Sequence, residues 1–270
     1  MTVLSKSLET FIHPTAIISP DAILEPGVEV GAFCVIDSDV RIGTGTKLGV
    51  GAQVLRYTNL GRHNTIGSYA MVGGEPMDLK FKGEISFLEV GDHNTIREFS
   101  TLHRATGEGE VTKIGSHNFI TAYVHITHNC ILGDYNIIPN SAQIAGHVVI
   151  EDYVTFGAMV GVHQFCRIGS YAMVGMNSKV TRDVLPYSLA DGHPVEHFML
   201  NKVGLDRRGI KGEERKILGE LFRAKRAGAS LEAFDDLAKE FKHVAHFLEF
   251  ISLPSIRGLS HFASKPNKTA

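Results

Sequence analysis

Five of the fourteen histidines in this 270-residue chain carry the first hint of chemistry: His103, His125, His128, His147 and His163. An imidazole gains or loses its proton near neutral pH, so in its neutral form it can take a proton from a hydroxyl as a general base. Several imidazoles meeting at one point could instead hold zinc, which draws its ligands from a tight cluster. A single His in a sequence is more often a surface or corner residue, and the spacing His125-x-x-His128 alone is a weak metal signal. The choice among these readings turns on whether the five share one place in space, and so on the elements that carry them.

Those elements follow from a repeat of six. Stepping by six from Ile12 to Val180 samples 29 positions, of which 25 are Ile, Leu or Val and one more is Phe156. The second position of the hexad is often glycine (Gly43, Gly61, Gly91, Gly115, Gly133), read as a turn that needs a backbone without a Cβ. The fifth position is small or compact, and all three cysteines, Cys34, Cys130 and Cys166, fall there, which assigns them to interior packing. One short strand per hexad and three hexads per coil make a triangular prism whose coils of about 18 residues stack at the ordinary inter-strand spacing of about 4.8 Å. The period fails at 78 and 84, and again at 108, yet returns unshifted, so residues 73–89 and about 104–113 are loops thrown out from corners. Long loops on a rigid scaffold are frequent seats of function.

The coil length also serves as a ruler. One coil beyond His128 lies Gly146, beside His147; one further lies Gln164, beside His163. One coil back, allowing for the shorter loop, come His103 and Arg104. The five histidines are therefore expected on one lateral strip, and a strip of this kind suits a general base or, less well, a zinc site.

After Val180 the signal changes. Pro and Gly breaks precede helical patterns at about 196–207, 212–227 (ended by Gly228) and 230–250, with an irregular tail after Pro254 that is free to fray. The chain thus divides into a β-helix over residues 1–190 and a helical domain over 191–270. Residues 206–270 hold 13 Lys and Arg against 9 Asp and Glu, and residues 1–205 hold 14 against 20, so the C-terminal part is the one suited to an acidic partner. A net charge of −2 argues against a nucleic-acid binder, and no run of apolar residues approaches a signal peptide or an integral membrane segment. The sequence reads as cytoplasmic.

The tandem pattern aliphatic-Gly-x-x-small-x resembles the hexapeptide-repeat transferases, which implies a left-handed parallel β-helix. Longer runs narrow the likeness: NFITAYVHITHNCILGD, QIAGHV, VHQFCRIG and NKVGLDRRG, with IHPTAI, PMDLKF and IREFSTLHR. Together they resemble the UDP-N-acetylglucosamine O-acyltransferases of lipid A synthesis over nearly the whole chain. The resemblance implies transfer of a 3-hydroxyacyl chain from acyl-carrier protein to the glucosamine 3-position of UDP-N-acetylglucosamine, in a homotrimer with sites between neighbouring prisms, and with no cofactor or metal. It makes His128 the general base and the Gly146 N–H the oxyanion donor. Asp78 and Lys80 match residues around the sugar, as do His125, His147 and Gln164, which also lie near the phosphates; His103 matches a residue near the diphosphate, and Asn201, Arg207 and Arg208 match nucleotide contacts.

Three positions depart from the family pattern. Asn129 follows the base where many relatives have Asp, and an amide can orient an imidazole but cannot stabilise its cation by charge. Val203 stands where some relatives have Glu, removing a polar nucleotide contact. Met176 occupies the position that gauges acyl length and should block the end of the groove, favouring about ten to twelve carbons. Two other readings of the same architecture are the related N-acyltransferase, which usually carries an extra N-terminal domain, and a zinc-dependent hydratase like the hexapeptide-repeat carbonic anhydrases. A scaffolding β-helix without catalysis is the reading from a different class.

Overall fold

Each hexad contributes one short strand, most of only two residues, and every third strand lies in the same sheet. In the computed structural model, which describes residues 9–264, three sheets of 11, 9 and 8 strands form the walls of a left-handed parallel β-helix. Register between coils is 18 residues, as in Glu29↔Lys47 and Gln143↔Gly161. Across the first loop the offset widens to 30, as in Thr65↔Thr95, and across the second to 24, as in Thr101↔His125. Both insertions are therefore whole numbers of hexads, which is why the period returns in phase. Both also leave from one corner, between the second sheet (strands Met71–Gly74 and Thr101–His103) and the third (Phe87–Val90 and Val111–Ile114).

The repeated aliphatic residues fill the prism: Ile36, Ile66, Ile96, Ile120, Ile144 and Val174 are fully buried. Burying each contributes roughly 1.5–3 kcal/mol against leaving it in water. The cysteines join them, free and buried, and burial raises the Cys130 and Cys166 thiols to about 12.

The glycines serve a different purpose from the one read in the sequence. The left-handed backbone of each corner belongs to the fourth hexad position, held by non-glycine residues such as His117 (φ 59), Asn129 (φ 57) and His147 (φ 59). A second-position glycine instead permits close approach of coils; a Cβ on Gly61 would lie 2.6 Å from the Gly91 carbonyl oxygen. A buried asparagine ladder closes one corner: the side-chain oxygens of Asn64, Asn94 and Asn118 accept the N–H of the next asparagine above at 2.8–2.9 Å. Their amide groups donate to the carbonyls of Gly91, Gly115 and Gly133. The amides of these three asparagines are thus satisfied on both sides, as burial requires, while the ladder's last member, Asn136, leaves its Nδ2 without a partner.

The segment expected to open a helix near residue 196 is a strand. Ser188–Gly192 extends the first sheet, and Val195–Leu200 pairs antiparallel with it; the alternating burial of Val195, His197 and Leu200 reads as a strand that propensity alone does not reveal. Helix α1 is therefore shorter (Lys202–Arg207), α2 spans Gly212–Ala227 with Gly228 as its left-handed C-cap, and the third expected helix is split into α3 (Asp235–Glu240) and α4 (Lys242–Ser252). These helices enclose a second core of Leu205, Leu218, Leu221, Val244, Phe247 and Phe250, which reaches the prism through Leu185 and Tyr187. Tyr187 Oη and His246 Nδ1 are 2.7 Å apart, and His246 Nε2 lies 2.9 Å from Glu151, which fastens α4 to the coils. The tail after Pro254 is irregular but tied back: Leu259 bridges Asp183 and Phe262 bridges His197. The rest of the tail, residues 265–270, lies outside the described residues.

Candidate active site

The corner that throws out both loops is also the corner of the histidines. His128 precedes the left-handed Asn129, and one coil above, the His147 N–H donates to the His128 carbonyl at 3.1 Å. The two rings meet edge-on, 5.3 Å apart, and His147 in turn stacks on Phe165 at 4.7 Å. Below them, His103 and His125 meet edge-on at 5.0 Å. The ruler of 18 therefore places His103, His125, His128, His147 and His163 along one edge.

His128 sits against the backbone of Gly146. A Cβ at that glycine would fall 2.5 Å from His128 Cε1 and 2.7 Å from Nε2, so no larger residue fits beneath the ring. The first loop bends over the same spot. Its turn, in which the Asp78 carboxylate accepts the Lys80 N–H at 3.0 Å, brings Asp78 Oδ2 to 4.0 Å from His128 Nε2. Nδ1 of His128 faces the other way, 2.9 Å from Asn129 Oδ1.

Among the described residues the Gly146 N–H has no acceptor, while its neighbours Ala145 and His147 donate to Val162 and His128. At the corner of the aromatic residues two equivalent amides are capped by carboxylates: Ser116 N–H donates to Asp134, and Asp134 N–H to Asp152. An open backbone donor beside a His whose Nε2 is free is the pairing that acyl transfer uses: a base for the attacking hydroxyl and a donor for the oxygen on which charge develops.

The surrounding histidines are held neutral. Burial lowers the pKa of His103, helped by the charge of His128; burial and His103 lower that of His125; burial and His128 lower that of His147. His103 is 1 % exposed, and its Nδ1 donates to the Glu75 carbonyl at 2.6 Å, which leaves Nε2 as a buried lone pair with no partner. A group in that state accepts a hydrogen bond from a hydroxyl or amide. His125 Nδ1 and the Thr101 hydroxyl are 2.7 Å apart. Arg104, 6 % exposed, is structural: it ties Glu75, Glu84 and Ser86 together at the loop bases. Among the described residues no three His, Cys, Asp or Glu side chains converge as metal ligands.

Above the histidines an apolar groove of 340 Å³ runs along the second sheet, lined by His125, Ile144, Gly161, Val162, His163 and Lys179 among others. Gln164 is exposed at this edge, and its carbonyl accepts from Arg257 Nε at 2.8 Å. Met176, 65 % exposed, sits at the next corner along, beside the groove and not among its lining residues.

Asn201, Arg207 and Arg208 lie elsewhere. Asn201 caps α1, accepting the Gly204 N–H at 3.1 Å, and donates to the Tyr171 carbonyl at 2.9 Å. The Arg208 guanidinium covers the Tyr153 ring at 4.9 Å. Tyr153 and Tyr171 mark the corner between the third and first sheets, one full wall from His147, so within one chain these three residues do not join the histidines.

Sequence reading missed four residues that hold the site: Glu75, Thr101, Thr106 and Arg257. Thr101 was reachable, since the 24-residue register across the second loop pairs it with His125. Arg257 was not, because nothing in the tail marks its contact with Gln164.

Comparison with known proteins follows the same lines. Residues 183–260 match a family model described as UDP N-acetylglucosamine O-acyltransferase, domain 2. An acyl-(acyl-carrier-protein)–UDP-N-acetylglucosamine O-acyltransferase of Herminiimonas arsenicoxydans is 45 % identical over 206 residues, covering 76 % of this chain and 79 % of that one. Its counterpart in Xylella fastidiosa is 42 % identical over 258 residues, covering 92 % and 98 %. Among solved structures, the UDP-N-acetylglucosamine acyltransferase of Francisella novicida superposes with a TM-score of 0.89 at 35 % identity, over 95 % of both chains.

Proposed function

The chain belongs to the acyl-(acyl-carrier-protein)–UDP-N-acetylglucosamine O-acyltransferase family, and on that premise we propose that it moves a 3-hydroxyacyl chain from acyl-carrier protein to the glucosamine 3-hydroxyl of UDP-N-acetylglucosamine, the reaction that opens lipid A synthesis. His128 Nε2 takes the hydroxyl proton as the oxygen attacks the thioester carbonyl. The new C–O bond leaves negative charge on the former carbonyl oxygen, which the open Gly146 N–H receives. When the C–S bond breaks, the imidazolium returns its proton to the departing thiol. No covalent enzyme intermediate is needed, and the buried cysteines take no part. The observation that carries this reading is the convergence of an unblocked Nε2 and an unpaired N–H at one edge.

Asp78, Lys80, His125, His147 and Gln164 surround the place where the sugar would lie, with neutral His103 accepting a hydrogen bond from a hydroxyl or the acetamido N–H. Asn201, Arg207 and Arg208 stand at another corner of the prism, which supports a homotrimer in which one chain supplies the nucleotide contacts for the histidine edge of its neighbour. Co-assembling two inactive chains, His128→Ala and Arg208→Ala, is expected to restore activity, since a mixed trimer contains intact sites. No recovery on mixing would remove the shared-site arrangement. We place the reaction in the cytoplasm, where both substrates are made; among the described residues no helix is long and apolar enough to cross a membrane.

The direct test is mass spectrometry of products formed from a series of 3-hydroxyacyl-acyl-carrier proteins and from UDP sugars bearing a 3-hydroxyl or a 3-amino group. We expect O-acylation and a preference for about ten to twelve carbons, shifting upward in Met176→Gly; an unchanged preference would remove Met176, which stands beside the groove, as the gauge of chain length. Product from the amino sugar alone would overturn the O-acyl assignment and make the linkage an amide at the same 3-position.

A further inference from the structure

Asn129 is held by more than its neighbour. Its Oδ1 accepts the Thr106 N–H at 3.0 Å, and its Nδ2 donates to the carbonyl of the same Thr106 at 3.1 Å. Its own N–H donates to Thr112 Oγ1 at 2.8 Å, and its backbone lies in the left-handed region that asparagine tolerates well. The amide is thereby locked. Turning it over would set NH2 against the Thr106 N–H and oxygen against the Thr106 carbonyl, losing both bonds at once.

The lock has a consequence for His128. The group that meets His128 Nδ1 at 2.9 Å is Asn129 Oδ1, which can only accept. Nδ1 must therefore carry the ring proton, and Nε2, beside Gly146 and Asp78, must carry the lone pair. In serine-protease triads an Asp-to-Asn exchange costs about 10⁴ in rate because it imposes the wrong tautomer. Here the peptide of the second loop forbids that orientation.

Taking His128 as the base, we propose that Asn129 is a positioning residue: its amide, clamped by the two backbone groups of Thr106, fixes the imidazole in the tautomer whose Nε2 is free to accept the sugar proton. The second loop thus sets the protonation pattern of the base without touching it, and the chain dispenses with the carboxylate many relatives place there. The orientation comes from geometry; the cation formed during turnover is then left to Asp78, 4.0 Å from Nε2.

Two variants and one spectrum test this. Asn129→Gly suits the left-handed backbone and removes only the amide, so we expect kcat to fall about 10- to 100-fold with little change in KM for either substrate. Asn129→Asp keeps an acceptor for Nδ1 and for the Thr106 N–H. It should hold kcat within a few-fold of the parent while its negative charge, which favours the imidazolium, moves the acid limb of the kcat/KM profile to higher pH. Nitrogen-15 NMR of the parent should place the His128 proton on Nδ1, and Asn129→Gly should show a mixture of tautomers. A proton on Nε2 in the parent, parental kcat in Asn129→Gly, or an Asn129→Asp variant as slow as the glycine one would each overturn the proposal, the last by showing that only the bond to the Thr106 carbonyl matters. His128→Ala separates the two claims: full activity there removes the base itself, whereas an inactive His128→Ala beside a fully active Asn129→Gly removes only the positioning role.

Discussion

The corner carrying Tyr135, Tyr153 and Tyr171 and the corner carrying Asn129, His147 and Phe165 use the same turn, with a left-handed residue at the fourth position of each hexad. At the first, rings lie flat in a continuous pile from His63 through His93 and His117 to Tyr187, spaced 4.6–5.6 Å with planes within 20°. The third-position amides of Arg62, Asp92, Ser116 and Asp134 there are capped by side-chain oxygens from the adjacent coil. At the second corner the His128 and His147 rings stand at 88°, the loops interrupt the pile, and the Gly146 amide is open. Three histidines of the first corner are thus ordinary stacking material. Residue type did not make the difference; the setting did, since the rings of the first corner lie flat on one another while His103, His125 and His128 of the second are held edge-on through Nδ1 by Glu75, Thr101 and Asn129.

The contrast can be broken most sharply at Gly146. Placing a methyl group there drives His128 out of position, and Gly146→Ala should lower kcat by about 100-fold or more while circular dichroism and melting stay close to the parent. A fully active Gly146→Ala would mean that the two corners differ in appearance only.

A histidine outside both corners sharpens the point. His197 is buried, its Nε2 accepts the Leu185 N–H at 2.9 Å, its Nδ1 faces the Ser260 carbonyl at 3.1 Å, and burial lowers its pKa to about 4. The unfolded chain binds that proton near pH 6.5 and the folded one only near 4, so stability is intact above 6.5 and is lost as pH falls through that window, by about 3 kcal/mol. Chemical denaturation at pH 7 and 4.5 measures the loss, and His197→Gln should flatten it.

The smallest effect belongs to the piled corner. Tyr135→Ala removes one ring between His117 and Tyr153 and should cost about 1 kcal/mol of stability, with kcat unchanged. A fall in kcat comparable with that of Gly146→Ala would show that the pile communicates with the site.

What the sequence made legible is what the period governs. Val30 to Val180 point inward because each recurs once per strand, and His128, Gly146 and Gln164 line up because a coil has constant length. The glycine rule was read wrongly, since close approach of coils and a left-handed turn both favour glycine and only coordinates separate Gly61 from Asn129. The strand Val195–Leu200 escaped because its apolar pattern fits a short helix equally well. Asp78 entered through resemblance alone, for a loop has no period to place it. The Asn129–Thr106 clamp was hidden for the same reason: it joins a corner to an irregular segment 23 residues away.

The placing of both insertions at one corner has a consequence for heredity. Chain that leaves the prism and returns at the same corner can change length without moving any later coil, because the coils are held by their contacts with one another. Within a coil, a loss of five codons would turn the aliphatic residues that follow out of the prism, whereas a loss of eighteen would remove one coil whole. Inherited variation in length should therefore gather at this corner and elsewhere be counted in coils.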